Sequence, residues 1–300
     1  MHGKKLIVIA GPTAVGKTSV AIHLAEYFRC SIISADSRQI YKELTIGTAK
    51  PSPAELARVP HYFINSHSIY DPYDAARYGD EALSKINELF LQTNRVILCG
   101  GSGLYIKAVC EGFDDIPEVP GEVRDEIMDQ FDKQGIGWLQ EKMQQLDPEA
   151  YKLLDPQNPH RLIRALEVRM YTGESIRTFR KNEKRKHAFD ISWIGLEIAR
   201  KELYARIDTR MGQMIQDGLF EEAAMLYPMR HHNALQTVGY QEIFDLTDNI
   251  IDRDECLRLL KRNTRRYAKR QLTWFKKNKE FTWFHPDDVQ AMIDHIEITS

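Results

Sequence analysis

The stretch Gly11-Pro12-Thr13-Ala14-Val15-Gly16-Lys17-Thr18 has the spacing of a phosphate loop, G-x-x-x-x-G-K-[ST]. Gly11 and Gly16 let backbone N–H groups close on an anion, and a helix starting after Gly16 adds the positive end of its dipole. Lys17 brings a point charge to a terminal phosphate, and Thr18 can hold a Mg²⁺ ion. The motif specifies a di- or triphosphate and leaves open what that group is attached to. A second candidate, Asp36, ends the apolar run SIISAD. It reads as a metal organiser, a general base, or simply a turn or cap acid, a position Asp favours in any fold. A phosphate-loop kinase or hydrolase wants an acid at the end of a later strand to order its metal. Here the run RVILC passes straight into Gly100-Gly101.

Charge points to a further partner. The net formal charge is −2, yet residues 160–187 carry nine Lys and Arg against three acids, and residues 261–279 carry nine against none. The second run interleaves Tyr267, Trp274 and Phe275, aromatics that can stack on bases, so the pair of runs favours a nucleic acid over two solvated helix faces. Arg161 and Arg164 lie three apart, on one face of a helix.

The elements that must position these residues follow from the apolar pattern. LIVIA (6–10), CSIISAD (30–36) and RVILCGG (95–101) read as strands with helices between them, which implies a parallel sheet with crossover helices. In such a sheet the phosphate loop, Asp36-Ser-Arg-Gln39 and Gly100-Gly-Ser-Gly103 share the carboxyl edge where ligands bind. FDDIPEVPGE (113–122) breaks the pattern. Residues 114–188 are expected to form a helical insertion in an α/β core made of 1–113 and 189–300, with DISWIGLEI (190–198) returning to the sheet. Beyond about 200 the chain reads as helical, with 201–226 as one long amphipathic segment.

With 300 residues, 43% hydrophobic and 28% charged, the composition is that of an ordinary globular protein. No run of about 18 apolar residues is present to cross a membrane, and MHGKKLIVIAGP does not end as a signal peptide does. Cys30, Cys99, Cys110 and Cys256 are scattered, as free thiols in a reducing, cytoplasmic compartment would be. The ten histidines show no zinc-finger spacing.

In order along the chain, GPTAVGKTS, SADSRQIYKELTIGTAKPS, GGSGLYIKA, DPQNPHRLIRALEV, GLFEEAAML, TVGYQEI and TRRYAKRQLTWF resemble the tRNA dimethylallyltransferase (tRNA isopentenyltransferase) family over nearly the whole chain. The family resemblance implies a P-loop NTPase-like sheet with a helical insertion. It also implies transfer of a dimethylallyl group from dimethylallyl diphosphate to N6 of the adenosine 3′ of the anticodon, with Mg²⁺. By residue match it places Ser37, Arg38, Gln39 and Ser102 at the anticodon stem-loop, with Arg124, His160, Arg161, Leu162, Ile163 and Arg164 from the insertion. Thr237, Gly239 and Tyr240 join them from the TVGYQ turn, and Lys269, Arg270, Gln271 and Trp274 from the last basic helix. Ser102 stands where many members have Thr, and His160 where Gln is common. On this reading Asp36 takes the N6 proton and also faces the tRNA, while Arg210, one helical turn from Arg206, assists the departing diphosphate. A core with its own insertion can clamp a substrate within a monomer. The rival functions are a phosphate-loop kinase of a nucleoside or small metabolite and a non-catalytic RNA-binding protein.

Overall fold

The computed structural model describes residues 3–181 and 183–298. KLIVIA forms β1 (Lys5–Ala10), buried at every position. Six consecutive buried residues need cover on both faces, and a parallel sheet between helices supplies it. Side chains alternate across the strand: Leu6, Val8 and Ala10 enter one hydrophobic cluster, Ile7 and Ile9 the other. The remaining strands are β2 (Ile32–Ser34), β3 (His61–Tyr62), β4 (Arg95–Gly100), β5 (Asp190–Leu196) and β6 (Thr282–Phe284). They pair in the order β3-β2-β4-β1-β5-β6, all parallel.

Register sets the site. Ala10 lies opposite Gly100, and Ser34 opposite Cys99. The loops leaving β1, β2 and β4 therefore emerge side by side at the carboxyl edge. A helix, Lys17–Phe28, follows the phosphate loop; its cap Gly16 sits at φ 107°, a left-handed conformation in which a side chain is strained.

Two features depart from the sequence pattern. The short strands β3 and β6 were not expected, and β6 interrupts the helical stretch beyond 200. The long amphipathic segment is two helices, Arg200–Gln216 and Leu219–Leu226, parted at Gly218 with φ 103°.

The chain divides into two compact units, Met1–Gly112 with Lys186–Ser300, and Phe113–Arg185. The second unit ends before the expected 188, since the His187 ring bonds the Cys110 carbonyl at 2.9 Å and stacks on Phe189. It is helical, built from Gly121–Gln134, Ile136–Leu146 and Pro159–Thr172 with shorter helices. Its own core includes Ile127, Leu139, Met143, Leu162 and Leu166.

Candidate active site

Phosphate-loop backbone and lysine form a closed knot. Lys17 Nζ donates to the carbonyls of Gly11 at 3.1 Å and Pro12 at 2.8 Å. Burial pulls its pKa down from 10.5 to about 8; the charge of Arg210 acts the same way, while Cys99 and Asp36 oppose them. Arg210 reaches across from the helix Arg200–Gln216 and donates to the Thr13 hydroxyl. Arg206, one turn earlier, donates to the Val15 carbonyl at 3.4 Å and pairs with Glu202. Both arginines thus turn toward the loop, and Arg210 is the more deeply engaged.

Loop and helix are locked together by Gln271. Its carbonyl accepts from Thr13 N–H at 2.8 Å and its amide donates to the Gly101 carbonyl at 2.9 Å. The glycines of GGSG exist for this packing. A Cβ on Gly100 would meet the Ala35 carbonyl oxygen at 2.0 Å, on Gly101 the Gln271 amide at 2.3 Å, and on Gly103 the Trp274 indole at 2.1 Å. Gln271 is buried and both ends of its amide are occupied, so it acts as a strut between loops where it also lines the aromatic cavity.

Asp36 follows β2. One of its oxygens accepts from the N–H groups of Arg38 at 2.9 Å and Gln39 at 3.3 Å, so it is a turn acid as the simplest expectation had it. Its other oxygen makes no hydrogen bond among the described residues, and Asp36 also lines two adjoining cavities. The first is the anion compartment, walled by Gly16, Lys17, Thr18, Asp36 and Arg210. The second shares Thr13, Asp36 and Arg210 with it but is closed by Ile207, Met211, Met214 and Val238. A third, aromatic cavity adjoins the second at Arg38 and Tyr267 and is lined by Tyr41, Tyr73, Tyr105 and Trp274. Ser37 and Ser102 meet at its rim, where the Ser102 hydroxyl accepts from Ser37 N–H at 2.9 Å.

The expected tRNA contacts separate into three groups. Asp36, Ser37, Arg38, Ser102, Arg270 and Trp274 line these cavities, as do Thr237 and Gly239; Lys269 is exposed on the helix Arg253–Phe275. In the second unit, Arg124, His160 and Arg161 are exposed and Arg164 is half-buried; Arg124 and Arg164 both reach buried Glu167, at 2.6 and 3.4 Å. Leu162, Ile163 and Tyr240 are corrected by burial. Leu162 and Ile163 are packed in that unit's core, because on an amphipathic helix the positions between Arg161 and Arg164 point inward. Tyr240 is fully buried with its hydroxyl on Glu222. Gln39 is half-buried and lines the anion compartment, with its amide on the carbonyls of Thr48 and Ala49 at 3.2 and 3.1 Å. Tyr73, Tyr105 and the apolar wall of Ile207, Met211 and Met214 were not expected from the sequence. Tyr267, expected from the basic run as a base-stacking aromatic, lines both the apolar and the aromatic cavity.

Among the described residues no three His, Cys, Asp or Glu side chains cluster to hold a metal, and no helix is long and apolar enough to cross a membrane.

Fold and site define a phosphate-loop α/β protein whose anion cradle opens into an apolar compartment and then an aromatic one. The sequence matches the IPP transferase family over residues 39–278. It is 46% identical to tRNA dimethylallyltransferase 1 of Bacteroides fragilis over 99% of both chains, and 48% identical to the tRNA dimethylallyltransferase of Christiangramia forsetii over 97% of both. Among solved structures it resembles the tRNA isopentenylpyrophosphate transferase of Bacillus halodurans, with TM-score 0.71 and 37% identity over 99% of this chain and 96% of that one. A eukaryotic dimethylallyltransferase acting on tRNA gives TM-score 0.76 at 25% identity, over 96% and 75%. The chain belongs to the IPP transferase family, and it is a prenyl transferase.

Proposed function

We propose that the protein transfers the dimethylallyl group of dimethylallyl diphosphate to N6 of the adenosine immediately 3′ of the anticodon in tRNA, and releases diphosphate. The observation that carries this reading is the wall of Thr13, Asp36 and Arg210 common to the anion and apolar compartments. A diphosphate in the loop then has room beside it for a five-carbon chain against Ile207, Met211 and Met214. A nucleoside triphosphate would need instead a polar site for its base and sugar, and an acid after β4 that this chain lacks.

An adenine amine is a weak nucleophile because its lone pair is delocalised into the ring. Asp36, with one oxygen anchored and the other without a hydrogen bond among the described residues, accepts the N6 proton as the N6–carbon bond forms; such help is typically worth about 10²–10⁴-fold. The allylic C–O bond breaks with its electron pair going to the diphosphate. Lys17, Arg210 and the loop N–H groups stabilise that growing charge. Thr18 offers a hard hydroxyl oxygen to the anion compartment, which fits Mg²⁺ held mainly by phosphate oxygens with few protein ligands. When bound with the diphosphate, the ion neutralises charge on the leaving group. The adenosine leaves its stack to enter through the aromatic cavity, while Lys269, Arg270 and the second unit's Arg124, His160, Arg161 and Arg164 hold the RNA backbone. We take the protein as a monomer, since one chain builds all three cavities, and as cytoplasmic, since its four cysteines are free thiols.

The test mixes protein, Mg²⁺, dimethylallyl diphosphate and unmodified tRNA, with ATP in a parallel reaction. Prenylated adenosine by mass spectrometry is the expected product. ATP turnover with unaltered RNA refutes the proposal in favour of a kinase, and tRNA binding without any product refutes it in favour of a binding protein.

A further inference from the structure

One buried carboxylate far from the phosphate loop in sequence holds the wall of the reaction cavity. Glu222, in the helix Leu219–Leu226, is 7% exposed. One of its oxygens accepts from Thr45 N–H at 3.0 Å and Ile46 N–H at 2.8 Å. The other accepts from Gly47 N–H at 2.9 Å and the Tyr240 hydroxyl at 2.6 Å. A carboxylate has about four acceptor sites, and all four are in use. The turn it grips has no freedom on its other side either. A Cβ on Gly47 would lie 2.5 Å from the Tyr240 ring, and Gln39 holds the next two carbonyls. The Lys50 ammonium, bound to the Tyr41 carbonyl at 2.5 Å and Asn65 at 2.6 Å, supplies countercharge.

What this latch fixes is the cavity itself. Thr48 and Ala49 line both the anion and the apolar compartment, and Gly47 lines the apolar one. Thr237 and Gly239, just before Tyr240, form another part of the same apolar wall. Glu222 thus joins two wall segments that lie about 190 residues apart in the chain. No substrate is within its reach, since each of its oxygens is consumed by the protein.

We infer that Glu222, through Tyr240 and the 45–47 turn, is a positioning residue that keeps the prenyl-bearing cavity closed to water during transfer. The inference rests on the prenyl-transfer reading above. An allylic carbon activated toward adenine is equally open to water. If the wall loosens, the C–O bond still breaks with its electron pair leaving on diphosphate, but water oxygen forms the new bond and loses a proton to solvent. The product is then dimethylallyl alcohol. Glu222→Gln has nearly the same shape but accepts on one oxygen only, so its NH₂ faces two donors or one donor and a hydroxyl, and the turn is released.

The experiment compares full-length wild type, Glu222→Gln and Tyr240→Phe with dimethylallyl diphosphate, Mg²⁺ and unmodified tRNA. It records kcat, both KM values, the melting temperature and the ratio of diphosphate released to adenosine prenylated. Wild type is expected at a ratio of one. Glu222→Gln is expected to lose about 10²-fold in kcat, the order of effect of an ångström-scale misplacement, with tRNA KM unchanged and the ratio well above one. Tyr240→Phe, which keeps the ring and deletes one bond, moves the same way by less. A purely structural role lowers the fraction of active enzyme and leaves the ratio at one; that result, or wild-type kcat in both variants, overturns the inference. Should Glu222→Gln not fold, a ratio of one in folded Tyr240→Phe overturns it just as well. Wild type that makes no prenylated adenosine sinks the underlying function instead, and the latch with it.

Discussion

Raising the pH from 7 to 9 discharges Lys17 before it discharges an ordinary lysine, because burial holds its pKa at about 8 rather than 10.5. For a group at about 8, the ammonium fraction falls from about nine-tenths to about one-tenth over that interval. Diphosphate binds the charged form, so the affinity due to Lys17 is present below about pH 8 and is lost above it. We expect kcat/KM for dimethylallyl diphosphate to drop about tenfold from pH 7 to pH 9 at saturating tRNA. Bound diphosphate restores the ammonium, so kcat at saturation moves less. Unfolding does not mimic this. Lys17 and Lys50, the latter also held at about 8 chiefly by burial, have folded values below their unfolded value of 10.5. The unfolded chain therefore binds more protons between about 8 and 10.5, and the contribution of both lysines to stability rises with pH across that window. The assay is initial-rate kinetics across pH 7–9.5 for wild type, Lys17→Arg and Lys50→Arg. Arg stays charged throughout, so the break should vanish in Lys17→Arg, whatever its absolute rate, and persist in Lys50→Arg. A flat wild-type profile to pH 9.5, or a break that survives Lys17→Arg, refutes the reasoning.

Three further outcomes follow from the same geometry. Asp36→Asn keeps the acceptor that Arg38 and Gln39 N–H use, so melting temperature and tRNA binding should hold while kcat falls about 10²–10⁴-fold; near-normal turnover removes Asp36 as the base. Gln271→Ala orphans Thr13 N–H and the Gly101 carbonyl, a loss of about 1–3 kcal/mol in denaturant unfolding together with a raised KM for the diphosphate; unchanged stability would mean the two loops do not depend on that amide. Arg161→Ala, an exposed position, should raise the tRNA KM and flatten its salt dependence by about one ion's worth without altering diphosphate binding, and an unchanged slope would assign Arg161 to the solvated surface.

What could be read from the sequence was what local spacing encodes. β1 announces itself because a strand covered on both faces must be apolar throughout, and the phosphate loop because its glycines and lysine are neighbours in the chain. β3 and β6 were illegible for the opposite reason: HY and TWF are too short to show a period, and only pairing with β2 and β5 makes them strands. Gly218 gave the one local hint that the 201–226 segment breaks. Family matching carried Leu162, Ile163, Tyr240 and Gln271 onto the RNA side. Which face of a helix meets solvent is settled by tertiary packing, and that packing turned all four inward. Glu222 had no signal in the sequence, since its meaning lies in three N–H groups and a hydroxyl contributed from elsewhere in the fold.

The helix Arg253–Phe275 bears on this in a particular way. It turns Gln271 into the phosphate loop while Lys269 and Arg270, immediately before it, stand in solvent. Within a helix successive residues advance by only about 1.5 Å, and no flexible connector separates the two roles. One rigid rod therefore both braces the phosphate loop through Gln271 and presents a pair of cations to solvent.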